Sequence, residues 1–165
     1  MHVGRGELDP GSQTTGWGLV GGTPSRPEWL EAGVLRLNRT DRDMSRRLWR
    51  LQTELTSLIE RLQPSCAAVE SPYLGVNARS ALQLAQARGV ALAVLAGAGL
   101  EVLEYTPATV KKAVTGNGRA TKEQVRMMVG QLLRQPQARI ETHDQSDALA
   151  VALCHASSAR LRCLP

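Results

Sequence analysis

Helical periodicity and short apolar runs alternate along most of this chain, and this alternation limits the folds open to it. Apolar residues recur every three or four positions from 42 to 63, which predicts an amphipathic helix that ends before a proline. The apolar run 65–70 predicts a short buried strand, residues 77–97 a second helix, and residues 100–105 another strand. Helices and strands that alternate in this way form α/β sheets with helices on the faces.

The two ends of the chain complete the predicted architecture. Residues 16–20 and 31–37 have strand composition around a glycine-rich turn, and the segment before Asp9 is expected to form one more strand. A capping box at Thr121-x-x-Gln124 predicts a third helix, and a last helix starts near Asp144. The prediction is a five-stranded sheet flanked by helices, which is mixed because the early hairpin is antiparallel.

Composition and size fit a single domain that spans residues 1–165. The chain has 165 residues, 42% of them hydrophobic, and neither a linker nor a repeat divides it. No apolar stretch reaches the ~20 residues that cross a bilayer, and residues 1–7 lack a signal-peptide core, so we expect a cytoplasmic protein without membrane contact. The three cysteines show no zinc-ligand spacing. The net charge of +5 favours a polyanionic partner.

Four carboxylates stand at the ends of predicted elements. Asp9 opens an Asp-Pro-Gly sequence, Glu70 ends the buried strand, and Asp144 and Asp147 begin the alanine-rich last helix. Each has an ordinary alternative: Asp-Pro-Gly is a good turn, and Asp144 with Asp147 is a helix cap with a first-turn acid. Glu70 is harder to explain in that way, because an acid that ends a buried strand seldom lacks a partner. Together the four acids indicate a site for hard divalent cations and phosphodiester chemistry.

Several short motifs along the chain point to one known family. In chain order they are Asp9-Pro-Gly-Ser, Thr15-Gly-Trp-Gly18, Val69-Glu70, Ala87-Arg-Gly-Val-Ala91, Val110-Lys111, Gly116-x-Gly118 and Asp144-x-x-Asp147-Ala-Leu-Ala150. In this set and order the chain resembles the RuvC-type Holliday-junction resolvases. One departure lies at residues 5–8, where Glu7 replaces the usual apolar or small residue of the first strand.

The resemblance implies an RNase H-like nuclease domain and a metal-dependent endonuclease. Such an enzyme resolves four-way DNA junctions by paired symmetric nicking in recombination and repair. Asp9, Glu70, Asp144 and Asp147 fall on the family's catalytic and metal-binding positions, with two Mg²⁺ ions in each active site, for which Mn²⁺ can substitute. The resemblance also implies a homodimer and a complex with the branch-migration machinery RuvA and RuvB. A dyad fits symmetric cutting, because two strands are cut at once.

Further residues take DNA-binding roles through the same resemblance. Lys111 and Lys122 match basic residues near the scissile phosphate, and Tyr73 matches an aromatic residue that acts on unpaired bases. Without the resemblance the lysines would be solvated, and Tyr73 could equally anchor a loop or stack on a base. His143, beside Asp144, is a candidate auxiliary group for proton transfer or metal tuning, although an ordinary surface histidine is the simpler interpretation.

Other functions fit parts of the pattern. A kinase of the sugar-kinase and actin type also has an acidic loop after its first strand, but it generally needs two such domains. A junction-binding scaffold with weak catalysis, or an RNA-processing nuclease of the same fold, stays open as an alternative. Cleavage of a synthetic four-way junction separates these possibilities.

Overall fold

The computed structural model describes residues 14–36, 43–71, 78–136 and 139–158. Four strands occur in these ranges: β1 (Thr14–Thr23), β2 (Arg26–Arg36), β3 (Cys66–Glu70) and β4 (Glu101–Tyr105). Five helices accompany them: α1 (Met44–Leu62), α2 (Ala78–Gly97), α3 (Pro107–Thr115), α4 (Lys122–Leu132) and α5 (His143–Ser158).

The strands form one antiparallel and one parallel pair. β1 and β2 make a hairpin whose register runs from Thr14↔Arg36 to Thr23↔Arg26, with an irregularity between Leu19 and Val20. β3 and β4 run parallel. Both strand directions therefore occur, as predicted for a mixed sheet. The fifth predicted strand, before Asp9, lies outside the described residues.

Helices cover both faces of the strands, and β3 shows how the pleat divides the core. Ala67 and Val69 belong to a core built with α1 and α2, whereas Ala68 belongs to a second core built with α3, α4 and α5. Successive side chains of a strand point to opposite faces, so one short apolar run supplies both cores. This explains why residues 66–70 carry no polar residue until Glu70.

Predicted and observed bounds agree within two residues for α1, β3, α2 and β4. Helix α3 is the element that sequence periodicity missed. It is short, and its boundaries come from local chemistry: the Thr106 hydroxyl accepts a hydrogen bond from Thr109 N, and Pro107 occupies the first turn. Gly116 ends it at a φ of 77°, a left-handed conformation that glycine adopts without strain.

Helix α5 is buried on nearly all sides. Every residue from Ala148 to Cys154 is buried, and the helix contacts β1, β2, β3, α3 and α4. A helix that is apolar around most of its circumference belongs in the interior of a domain. Among the described helices, none has the length and apolar character needed to cross a membrane.

The thiol of Cys154 tests this packing directly. Burial raises the pKa of the Cys154 thiol to about 11, so at pH 8 only about one thiol in a thousand is ionised. We expect iodoacetamide to leave Cys154 unmodified in the native protein and to alkylate it after denaturation, as followed by peptide mass spectrometry. Cys66 is partly exposed and serves as the internal reference for reagent activity. Native-state labelling of Cys154 as fast as that of Cys66 would contradict the buried position of α5.

Candidate active site

The N-terminal end of α5 carries two of the predicted acids. The Thr142 hydroxyl accepts a hydrogen bond from Gln145 N (3.2 Å), and the Gln145 side-chain oxygen accepts one from Thr142 N (3.3 Å). This reciprocal pair is a capping box, which fixes where the helix begins. Asp144 lies in the first turn and Asp147 one turn later, both half-buried. The positive end of the helix dipole favours carboxylates at this position.

Thr14, the first residue of β1, holds the Asp144 side chain. Its hydroxyl donates a hydrogen bond of 2.6 Å to Asp144 Oδ2, across 130 residues of sequence. A hydrogen bond to a carboxylate is short and stronger than one between neutral groups. It restricts the Asp144 rotamer and occupies only part of the acceptor capacity of that carboxylate. The strand that follows the Asp9 segment in sequence is thus tied directly to one predicted ligand.

Two glycines allow α5 to lie directly on β1. An ideal Cβ at Gly16 would stand 2.1 Å from the backbone oxygen of Asp144, and one at Gly18 would stand 2.8 Å from Leu149 Cδ2. Trp17, between them, points to the opposite face and joins the core of α1 and α2. The Gly-Trp-Gly sequence therefore combines a bare strand face towards α5 with a large apolar side chain on the other face.

Glu70 is the last residue of β3 and is half-buried. Its backbone oxygen accepts a hydrogen bond from Arg88 Nη1 (2.8 Å), and the next residue, Ser71, donates its N–H to the oxygen of Tyr105 (2.7 Å). The strand end is therefore held by α2 on one side and by β4 on the other. β3 also contacts α5, the helix that carries Asp144 and Asp147.

The two predicted lysines lie on helices that contact α5. Lys111 is on α3 and Lys122 is the first residue of α4, and both are partly buried, whereas Lys112 is exposed. A partly buried lysine buries its aliphatic stem against apolar surface and keeps its charge accessible. Both side chains can therefore keep their charge at the surface of helices that pack against α5.

His143 is the first residue of α5 and is exposed. Its surroundings include Glu123 of α4, whose pKa is lowered by hydrogen bonds from its own backbone N–H and from the Thr121 side chain, and more weakly by the charges of His143 and Lys122. This electrostatic contact links His143 to the surface of α4. The predicted auxiliary role of His143 stays a prediction.

The described residues bring together only part of the predicted site. Asp144 and Asp147 share one helix, and Glu70 ends a strand that contacts this helix. Within the described ranges, no group of three histidine, cysteine, aspartate or glutamate side chains is close enough to hold a metal ion. Asp9 and Tyr73 lie outside these ranges, so the meeting of four carboxylates stays a prediction.

Comparisons with known proteins identify the family. A family model described as crossover junction endodeoxyribonuclease RuvC matches residues 6–155. The chain belongs to the RuvC family. The crossover junction endodeoxyribonuclease RuvC of Xanthobacter autotrophicus is 50% identical over 149 residues, which are 90% of this chain and 86% of that protein. The RuvC of Citrifermentans bemidjiense is 43% identical over 157 residues, 95% and 94% of the two chains.

Solved RuvC structures agree with this family in three dimensions. The structure of Thermus thermophilus RuvC matches with a TM-score of 0.80 at 28% identity and covers 97% of this chain and 94% of that one. T. thermophilus RuvC in complex with a Holliday junction substrate matches with a TM-score of 0.84 at 28% identity, over 97% and 93% of the two chains. The predicted RuvC family, its RNase H-like α/β fold and the enzyme class of crossover junction endodeoxyribonuclease are thus confirmed.

The geometry gives contacts to three residues for which the sequence predicted no role. Thr14 contacts Asp144, Thr142 caps α5, and Arg88 contacts the end of β3. The Thr142-x-x-Gln145 pattern could have been found from sequence, because it repeats the Thr121-x-x-Gln124 signature. The contacts of Thr14 and Arg88 depend on tertiary structure and had no local signal.

Proposed function

We propose that this chain resolves Holliday junctions by metal-dependent hydrolysis, through paired symmetric nicks in four-way DNA during recombination and repair. The observation that carries the proposal is the match over 97% of the chain, at a TM-score of 0.84, to a RuvC structure that holds a Holliday junction substrate. The family match over residues 6–155 supports the same activity from sequence.

We assign the metal ligands to Asp9, Glu70, Asp144 and Asp147. Carboxylate oxygens are the donors that Mg²⁺ and Mn²⁺ prefer, and four of them offset the charge of two divalent ions. Thr14 supports this assignment, because its single bond to Oδ2 orients the Asp144 carboxylate without using all its acceptor sites. Two divalent ions held by these carboxylates would activate a water molecule and relieve the charge on the leaving oxygen.

Lys111, Lys122 and Tyr73 are the proposed DNA contacts. The partly buried positions of both lysines on helices beside α5 support contact with backbone phosphates near the carboxylates. The net charge of +5 adds a general attraction for DNA. This attraction weakens as the salt concentration rises, because the release of counterions from DNA becomes less favourable. For Tyr73 the support is the sequence resemblance, with a stacking contribution of about 1–3 kcal/mol per base in comparable proteins. His143 is a proposed auxiliary group on the grounds of its position next to Asp144.

The proposed oligomeric state follows from the reaction. Two cuts related by symmetry need two active sites related by a dyad, so we infer a homodimer. A complex with RuvA and RuvB is proposed from the family alone, and the cytoplasmic location stays a prediction from sequence.

A synthetic four-way junction tests the function. We expect the wild-type chain with Mg²⁺ or Mn²⁺ to nick two opposite strands at symmetric positions. The Asp9→Asn variant should bind the junction but not nick it. The matched control is Asp43→Asn, which makes the same chemical change at the exposed cap of α1. Asparagine caps a helix as well as aspartate does, so this variant should cut normally. Gel electrophoresis of end-labelled strands measures cleavage, and mobility shift measures binding.

The same assay separates the alternatives. Tight junction binding without cleavage by the wild-type chain at any divalent metal concentration would favour a scaffold. Cleavage of structured RNA in preference to four-way DNA would favour an RNA-processing nuclease. Full activity of Asp9→Asn would remove Asp9 from the ligand set.

A further inference from the structure

Arg88 bridges three elements beside Glu70. It lies on α2 within the Ala87-Arg88-Gly89 motif, and only 18% of its side chain is exposed. Its Nη1 donates to the backbone oxygen of Glu70 at 2.8 Å, and its Nη2 lies 2.5 Å from Glu104 Oε2 on β4. The guanidinium thus contacts the end of one strand and a carboxylate on the neighbouring strand with two different nitrogens. None of the metal-binding roles proposed above includes Arg88.

The contact acts on the peptide unit that follows Glu70. The oxygen of this unit accepts from Arg88, and its N–H, which belongs to Ser71, donates to the oxygen of Tyr105 at 2.7 Å. A peptide unit is planar, so two bonds at its opposite edges fix the orientation of the whole plane. The ψ angle of Glu70 is fixed with it, and so is the direction in which the Glu70 side chain leaves the backbone.

Glu104 keeps the Arg88 fork in place. A guanidinium presents its donors in a rigid plane, so a carboxylate on one nitrogen sets the direction of the other. Glu104 is 48% exposed, and the register of the parallel pair places it next to Tyr105, the partner of Glu70. The carboxylate also balances the Arg88 charge close to Glu70.

We propose that Arg88 is a positioning residue for Glu70: through the Glu70–Ser71 peptide plane it sets the direction of the Glu70 carboxylate towards the metal site. This inference rests on the proposed function, since it gives Glu70 the role of a metal ligand. Arg88 touches the backbone of Glu70 and acts on the reaction only through that residue. Side-chain groups that orient metal ligands typically contribute about 10–100-fold in metal affinity or activity.

Arg88→Lys provides the test, because lysine keeps the positive charge but lacks the planar fork. We expect the Mn²⁺ affinity of the protein, measured by titration calorimetry or electron paramagnetic resonance without DNA, to fall about 10–100-fold. Cleavage of the junction should fall at limiting Mn²⁺ and recover at saturating Mn²⁺, whereas junction affinity without metal should stay unchanged. Glu104→Gln removes the charge that orients the guanidinium of Arg88 but still allows Arg88 to bond to the Glu70 oxygen. We therefore expect a smaller loss of Mn²⁺ affinity in this variant.

Arg61→Lys is the matched control. Arg61 of α1 makes a bidentate ion pair with Glu31 of β2, at 2.8 and 2.9 Å, and does not contact Glu70. Its replacement by lysine likewise removes a planar guanidinium from a contact between a helix and a strand, but at a distance from Glu70 in the fold. We expect wild-type Mn²⁺ affinity in this variant.

The outcomes separate the inference from the function. If the wild type binds Mn²⁺ and cuts the junction while Arg88→Lys and Glu104→Gln do so with unchanged metal dependence, Arg88 has no positioning role and the function stands. A loss of Mn²⁺ affinity in Arg88→Lys that only parallels a lower melting temperature, with no loss in Glu104→Gln, also overturns the inference. A wild type that neither binds Mn²⁺ nor cuts the junction overturns the proposed function, and the role of Arg88 with it.

Discussion

Glu70→Gln is expected to reduce junction cleavage by at least about a thousandfold, equivalent to about 4 kcal/mol of transition-state stabilisation. Glutamine has the shape of glutamate but no charge, so the substitution weakens a metal ligand without creating a cavity. The bonds that hold this strand end involve the backbone of Glu70 and Ser71, and the substitution leaves them intact. Junction affinity should stay close to that of the wild type, because Lys111 and Lys122 are unchanged.

Single-turnover cleavage and a mobility-shift titration measure these two quantities separately. Glu101→Gln is the control, since Glu101 is exposed at the opposite end of β4 and pairs with Cys66, the first residue of β3. The control should cut at the wild-type rate. Wild-type cleavage by Glu70→Gln would remove Glu70 from the ligand set, and an equal loss of cleavage and of binding would indicate a DNA contact in place of a metal ligand.

The elements that sequence predicted well are those whose signal is local and repeated. The apolar period of α1 and the short apolar run of β3 each involve core residues that are close in sequence, so the bounds of both elements were predicted within two residues. Helix α3 failed this criterion, because it is only 9 residues long and only Val110 and Val114 are buried. Its cap and its terminal glycine were the available signals.

The site was predictable as a set of residues but not as a geometry. Glu70 stood out because an acid ends an apolar run, and Asp144 because it opens an apolar helix. The sequence does not reveal that Thr14 donates to Asp144 across 130 positions, or that Arg88 reaches the backbone of Glu70 across 18. Such contacts follow from how strands and helices pack, and a motif records only that both residues are present.

Gly16→Ala should destabilise the protein and slow cleavage, since the added methyl group forces α5 away from β1. The added Cβ would stand 2.1 Å from the backbone oxygen of Asp144, which is far inside van der Waals contact. A backbone atom cannot rotate aside, so the first turn of α5 must move with Asp144. We expect a loss of about 1–3 kcal/mol in the free energy of unfolding. Cleavage should fall about a hundredfold, because a shift of about 1 Å in a catalytic group has that effect.

Two other glycines give graded comparisons for this prediction. At Gly18 the obstacle is the end of the Leu149 side chain, at 2.8 Å, which can change rotamer, so Gly18→Ala should be milder in both stability and cleavage. Gly89 is exposed in α2, and outside that helix's own backbone no described atom lies within 4 Å of its ideal Cβ. Gly89→Ala should therefore stabilise the helix by up to about 1 kcal/mol. Urea unfolding of the three variants measures the order of their stabilities, and single-turnover cleavage measures the order of their activities. If Gly16→Ala matched Gly89→Ala in both measurements, α5 would not lie against β1 as closely as the Thr14–Asp144 hydrogen bond requires.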